Sequence, residues 1–240
     1  MKKMKRSILL FVLLLPLIGQ ADEGMWLINS FGDAYPQMKA KGLKLTQQQI
    51  YNESGPALAG AVVAVDGGRG TGSMISAEGL MITNHHVAYG DIHALSTPEK
   101  NYLENGFWAT ERKDEIPITG KTVTFVRKVV DVTAEAKAIY DSLRSIGRVG
   151  PLTARRVYGQ LEGKYGKIAG PGYEVSCASF FRGELYLMFY LEVYNDVRLV
   201  GAPPVSIGAF GGETDNWGWP QHKCDFAIYR VYTDKDGRPT

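Results

Sequence analysis

Between Gly60 and Val87 the chain sets short apolar runs against glycine-rich turns. Ala61-Val62-Val63-Ala64-Val65, Gly72-Ser73-Met74-Ile75-Ser76 and Leu80-Met81-Ile82-Thr83 are separated by Asp66 to Gly70 and by Ala77-Glu78-Gly79. Such spacing predicts consecutive antiparallel hairpins. Val123 to Val132 predicts another strand. From Thr133 to Lys167 the period changes: AEAKAIYDSLRSI and LTARRVYGQLEGKY place apolar residues three and four apart, which predicts two amphipathic helices broken near Gly147 to Pro151. Leu185 to Val193 predicts a long aromatic strand. Phe210 to Pro220 reads as an irregular loop leading into a strand that starts at Cys224. The fold class expected is therefore mainly β, with amphipathic helices inserted around 133–167. Asp236-Gly237 is a hairpin signal with no returning strand after it, so the sequence is expected to be truncated, leaving the strand of Asp225 without its sequence neighbour.

The first residues alter the reading of charge. Lys2, Lys3, Lys5 and Arg6 precede the apolar run Ile8 to Ile18 and the small-residue end Gly19-Gln20-Ala21, the order of a secretory signal peptide over residues 1–21. The run is shorter than the roughly 20 residues of a membrane span, so the mature product is expected to be exported and free of the membrane. The whole chain carries 27 basic and 25 acidic residues; losing the leader removes four basic residues and no acid, which turns net +2 into net −2. Nothing there favours a nucleic-acid partner. Cys177 and Cys224 would reach an oxidising compartment, and the sequence leaves open whether they pair.

Candidate chemistry centres on Thr83-Asn84-His85-His86-Val87-Ala88-Tyr89. Adjacent residues of an extended strand face opposite sides, so one of the two histidines is expected to be chemical and the other structural. His86, read as ending the strand before the turn Val87 to Gly90, is the candidate general base; the alternative is that both are surface or core residues. Asp225 is read as heading a strand whose Asp225, Ala227 and Tyr229 share a face. Burying that carboxylate is costly unless something hydrogen-bonds to it, and an imidazole N–H would do so while fixing the tautomer. Its alternative is an Asp bonded to loop amides. His before Asp is the chain order of two members of a chymotrypsin-like triad. No Gly-Asn-Ser-Gly-type elbow follows Asp225, and Ser54 lies upstream of His86, so the chain alone is expected to be inactive.

GTGSMISAEGLMITNHHV resembles the His segment of chymotrypsin-like and HtrA-like proteases. TNHH together with GGETDNWGWPQHKCDFAIYRVY is similar to a narrower group, the bacterial serine dipeptidyl-peptidases that include dipeptidyl-peptidases 7 and 11. The likeness runs from GMW at Gly24 through VRLVGAPP to DKDG, nearly the whole of 22–240, the expected N-terminal part of the catalytic domain. It implies a double β-barrel with a helical domain capping the cleft, in a periplasmic or surface exopeptidase that releases dipeptides from peptide N-termini. It implies His86 and Asp225 as catalytic residues, and Asn216 and Trp217 as binders of the substrate's α-amino group; a carbonyl oxygen and an indole face suit an ammonium. It implies no cofactor and leaves open a homodimer of the full-length enzyme. The chain departs from the family pattern at Gly70 and Val87, where relatives commonly carry two cysteines, at Gln221, which lacks a positive charge, and at Cys224, which replaces a glycine.

Two other readings stand beside the exopeptidase: a non-catalytic peptide-binding relative, and a fragment of an HtrA- or trypsin-like endopeptidase. A metal site would need His222 and Cys224 with His85, His86 or His93, but no CxxC or HExxH spacing supports one.

Overall fold

The computed structural model describes residues 26–53, 55–209 and 222–233. The chain divides into two compact units between Gln47 and Gln48. The first holds helix α1 (Tyr35–Ala40), closed locally by the Tyr35 hydroxyl, which donates to the Leu45 carbonyl at 2.9 Å, and by Phe31 edge-on to Tyr35. A short helix, α2 (Gln47–Ile50), begins at the division.

Among the described residues the second unit has ten strands: β1 (Val62–Val65), β2 (Gly70–Met74), β3 (Leu80–Thr83), β4 (Phe107–Trp108), β5 (Ile116–Pro117), β6 (Val123–Asp131), β7 (Glu174–Phe180), β8 (Leu185–Tyr194), β9 (Asp196–Ala202) and β10 (Ala227–Tyr232). Its helices are α3 (His85–Leu95), α4 (Tyr102–Asn105), α5 (Thr133–Ser145), α6 (Thr153–Ala169) and α7 (Val205–Gly208). All pairings are antiparallel, in the order β4-β9-β10-β3-β2-β1-β6-β8-β7, with β5 also on β9. Because β8 runs into β9 with only Asn195 between them, one continuous chain joins the two ends of the path from β9 round to β8. Inward residues along that path, among them Val63, Met81, Val123, Leu199 and Tyr229, form a single core, as the alternation of β-strand side chains requires.

Strands β6 and β8 are long enough to serve two cores. Their far halves, with β7, carry α5 and α6 on one face. Ala136 and Leu143 of α5, Val157 and Leu161 of α6, and Cys177 and Met188 beneath them make the second core. The three- and four-residue spacing of these side chains is what turned the sequence reading from strand to helix, and the break falls where it was expected.

Two expectations need correcting. Residues after Thr83 do not end in a turn: His85–Leu95 is an α-helix with Asn84 at its N-cap. The last strand begins at Ala227, so Asp225 lies in the segment before it rather than on a strand face. That strand, β10, lies between β3 and β9. On the pairing that the sequence left open, Cys177 and Cys224 are both free, one buried and one exposed.

Gly79 shows why the β2–β3 turn demands glycine. Its φ is +80°, and a Cβ there would lie 2.3 Å from the Val231 carbonyl oxygen. Gly70 is tight for another reason: a Cβ added there would sit 3.5 Å from the Val87 Cβ. Cβ atoms joined by a disulfide lie roughly 3.5–4.5 Å apart, so the two positions where the chain departs from the cysteine pattern face one another. The double variant Gly70→Cys/Val87→Cys is expected to cross-link on oxidation and to gain about 3 kcal/mol of stability. Urea unfolding with and without reductant measures it; coincident curves for an oxidised sample would refute the expectation.

Candidate active site

Helix α3 carries both histidines in its first turn. Leu80–Thr83 delivers the chain along β3, and the Thr83 hydroxyl donates to the Thr71 carbonyl at 2.8 Å, fixing the strand's end. Asn84, extended at φ −78° and ψ 150°, starts the helix but does not cap it with its own side chain. Asp225 takes that place. Its Oδ1 accepts from the His86 backbone N–H at 3.0 Å, so a carboxylate sits at the positive end of an eleven-residue helix. Its Oδ2 meets His86 Nδ1 at 2.7 Å and accepts from Asn84 Nδ2 at 3.2 Å; the same amide donates to the Asp225 carbonyl at 3.2 Å. The segment bearing Asp225 is itself anchored, with the Cys224 N–H donating to the Ile207 carbonyl at 3.0 Å.

Burial by itself would raise the Asp225 carboxyl. The His86 amide and imidazole, with Asn84, outweigh that and hold it below the usual range. The Asp225 side chain is 26% exposed and the His86 side chain 66%, so the imidazole stands in solvent with its carboxylate behind it. A proton held on Nδ1 by the carboxylate leaves Nε2 as the basic nitrogen.

His85 behaves oppositely. It is buried, its ring is hydrogen-bonded to the Pro203 backbone, and its Nε2 has no partner. Burial is the first cause that lowers its pKa, so it stays neutral. Gly208 makes room for it: a Cβ there would fall 2.6 Å from the imidazole Cγ. The two histidines thus differ in exposure, one buried and one facing solvent, and a helical first turn separates them where a strand was expected.

Asn216 and Trp217 lie outside the described residues, as do the leader, Ser54 and Asp236-Gly237. His222 and Cys224 lie in the segment before β10, not on a shared strand face. Among the described residues no three His, Cys, Asp or Glu side chains are grouped to hold a metal ion. Asn84 went unremarked as a site residue within the TNHH word, although an Asn before a histidine pair is also a helix-start signal.

A His–Asp pair held at the N-terminus of a helix on an antiparallel sheet has the geometry of two members of a chymotrypsin-like triad. Residues 21–240 match the Peptidase S46 family, and the chain belongs to it. It is 47% identical to the Asp/Glu-specific dipeptidyl-peptidase of Porphyromonas gingivalis, a match covering 100% of this chain and 34% of that protein. It is 43% identical to dipeptidyl-peptidase 7 of Capnocytophaga gingivalis, over 95% of this chain and 32% of the relative. The crystal structure of Porphyromonas endodontalis DPP11 in complex with the dipeptide Arg-Glu superposes with a TM-score of 0.81 at 40% identity, covering 92% of this chain and 32% of that one. The chain thus spans about a third of the length of the curated relatives it matches.

Proposed function

We propose that this chain is the N-terminal part of an exported serine dipeptidyl-peptidase, in which His86 is the general base and Asp225 orients it. The observation that carries the reading is the 2.7 Å contact between His86 Nδ1 and an Asp225 carboxylate already fixed by two further donors. Residues 1–21 would be its signal peptide and 22–240 its share of the catalytic domain. The second barrel, the nucleophilic serine and the oxyanion donors would come from the length of the relatives that this chain does not span. Asn216 and Trp217 would hold the substrate's free α-amine, on the strength of the family resemblance.

The chemistry follows from these assignments. His86 Nε2 would take the hydroxyl proton of the serine as it attacks the second peptide carbonyl, and would return that proton to the leaving amine. The Asp225 carboxylate would stabilise the imidazolium formed between the two steps. The substrate class is peptides with a free N-terminus, and the relatives' names, which include both an Asp/Glu-specific enzyme and dipeptidyl-peptidase 7, support release of dipeptides.

Dipeptidyl-chromophore hydrolysis tests the proposal. The 240-residue chain alone is expected to release none, since it can move a proton but offers no nucleophile to accept the acyl group. The full-length enzyme should cleave the free-amine substrate and lose at least about a hundredfold in kcat/KM on N-acetylation, because polar groups built around an ammonium are left unpaired by a neutral amide. Robust cleavage of blocked peptides would make it an endopeptidase instead. Tight binding of free-amine peptides without turnover by the full-length protein would make it a non-catalytic relative.

A further inference from the structure

Helix α3 is held against β10 at a second place, just over one turn beyond His86. Asp91 Oδ2 accepts from the Tyr229 hydroxyl at 2.6 Å and from Lys121 Nζ at 2.5 Å. Lys121 lies in the segment between β5 and β6, and its side chain is only 2% exposed. Its ammonium also donates to Asp66 Oδ2 at 2.8 Å and sits 5.3 Å from the centre of the Tyr229 ring. Asp66 in turn accepts from the Thr122 N–H, so the cation is locked into the β1–β2 turn as well as onto the helix. Tyr229 is fully buried, and burial, followed by the Asp91 charge, pushes its hydroxyl pKa far up, so it is a permanent donor.

The arrangement has a mechanical sense. Asp225 and Tyr229 belong to one segment, four residues apart, and they grip His86 and Asp91 of one helix. At 3.6 residues per turn, five residues rotate the helix face by about 140°. Ala88 and Ile92 already seat α3 on the core; a second polar grip on another face adds a directional restraint on its rotation and so on where the imidazole stands. A buried lysine is expensive unless paired, and replacing such a pair by apolar residues is often neutral or stabilising. The network is therefore poorly explained as a source of stability alone.

We propose that Asp91, Tyr229 and Lys121 are positioning residues, which act through helix α3 to hold the His86 imidazole on Asp225. The proposal rests on the reading of His86 and Asp225 given above. Their hydrogen bonds run to one another and to Asp66, rather than to His86 or Asp225.

The test uses the tautomer of His86, read from the side-chain nitrogen shifts of the chain labelled with ¹⁵N-histidine at neutral pH. In the wild type the Nδ1–H form should dominate, because Asp225 accepts that proton. Tyr229→Phe and Lys121→Met should each shift the population towards Nε2–H while far-UV circular dichroism stays native. Tyr165→Phe is the control: it removes a 2.8 Å hydrogen bond to Glu135 in the second core and should lower stability without moving the tautomer. In the full-length enzyme Tyr229→Phe should reduce kcat about 10- to 100-fold with KM unchanged, the signature of a misplaced base. If Tyr229→Phe does not fold, Lys121→Met and Asp91→Asn carry the same comparison. A wild-type tautomer ratio in the folded network variants, with Asp225→Asn still shifting it, would overturn the positioning role and leave the site reading standing. If Asp225→Asn itself left His86 unchanged, both would fall.

Discussion

Asp225→Asn in the full-length enzyme is expected to lower kcat about ten-thousand-fold while leaving the barrel folded. The reason lies in what an amide can offer at that point. To keep the helix-capping bond, the substituted side chain must present its oxygen to the His86 backbone N–H, where Asp225 Oδ1 now accepts at 3.0 Å. Its NH₂ group then faces His86 Nδ1 and the Asn84 NH₂, in the place of a carboxylate oxygen that accepts from both. The imidazole can keep a hydrogen bond only by accepting through Nδ1, which puts its proton on Nε2, the nitrogen that must be vacant to act as base. Turnover of a dipeptidyl substrate reads the loss, and a variant within about tenfold of wild type would remove Asp225 from the mechanism. A pH effect follows with a definite sign. A carboxyl whose folded pKa is depressed adds stability that is full above its unfolded value and is lost as the pH falls through the folded one. The wild type should therefore lose stability more steeply on acidification than Asp225→Asn, which has no carboxyl to protonate there.

Glu115→Ala is expected to cost about 3–5 kcal/mol, a large share of the stability of a domain. Glu115 and Arg230 form an ion pair with side chains 3% and 10% exposed. Arg230 Nε donates to Glu115 Oε1 at 2.9 Å and to Oε2 at 3.1 Å, and the Tyr232 hydroxyl donates to Oε2 at 2.7 Å. Truncation strands the guanidinium with the Glu78 carbonyl, at 2.7 Å, as its remaining acceptor among these, and leaves the tyrosine hydroxyl without its partner. Glu115→Gln, which retains an acceptor, should cost less. Urea titration separates the two, and a loss below about 1 kcal/mol for the alanine variant would show that Arg230 finds other solvation.

Such pairs explain where the sequence was legible. The glycine turns announced β1 to β3, and the three- and four-residue spacing announced α5 and α6, because local geometry decides both. The α3 helix was missed although His85, Ala88 and Ile92, its buried residues, already repeat at helical spacing. Gly90 in mid-helix and a run read as strand up to His86 masked that period. Asp225 was placed on a strand because the alternation Asp225, Ala227, Tyr229 continues one step past the strand's true start at Ala227. His86 and Asp225 could be nominated from residue type and order. Lys121, Asp91, Glu115 and Arg230 could not, since a charge buried by pairing with a residue far along the chain looks in one dimension like any solvated surface charge.

The two unpaired thiols have a practical consequence. Cys177 is buried, and burial pushes its pKa up to about 11, so at neutral pH it offers almost no thiolate to an electrophile. Cys224 is exposed and adjoins Asp225 in the chain. A maleimide fluorophore or nitroxide should therefore attach at a single place without any engineered cysteine, one residue from the proposed catalytic carboxylate. The native chain thus carries its own attachment point for following, by spectroscopy, what approaches Asp225.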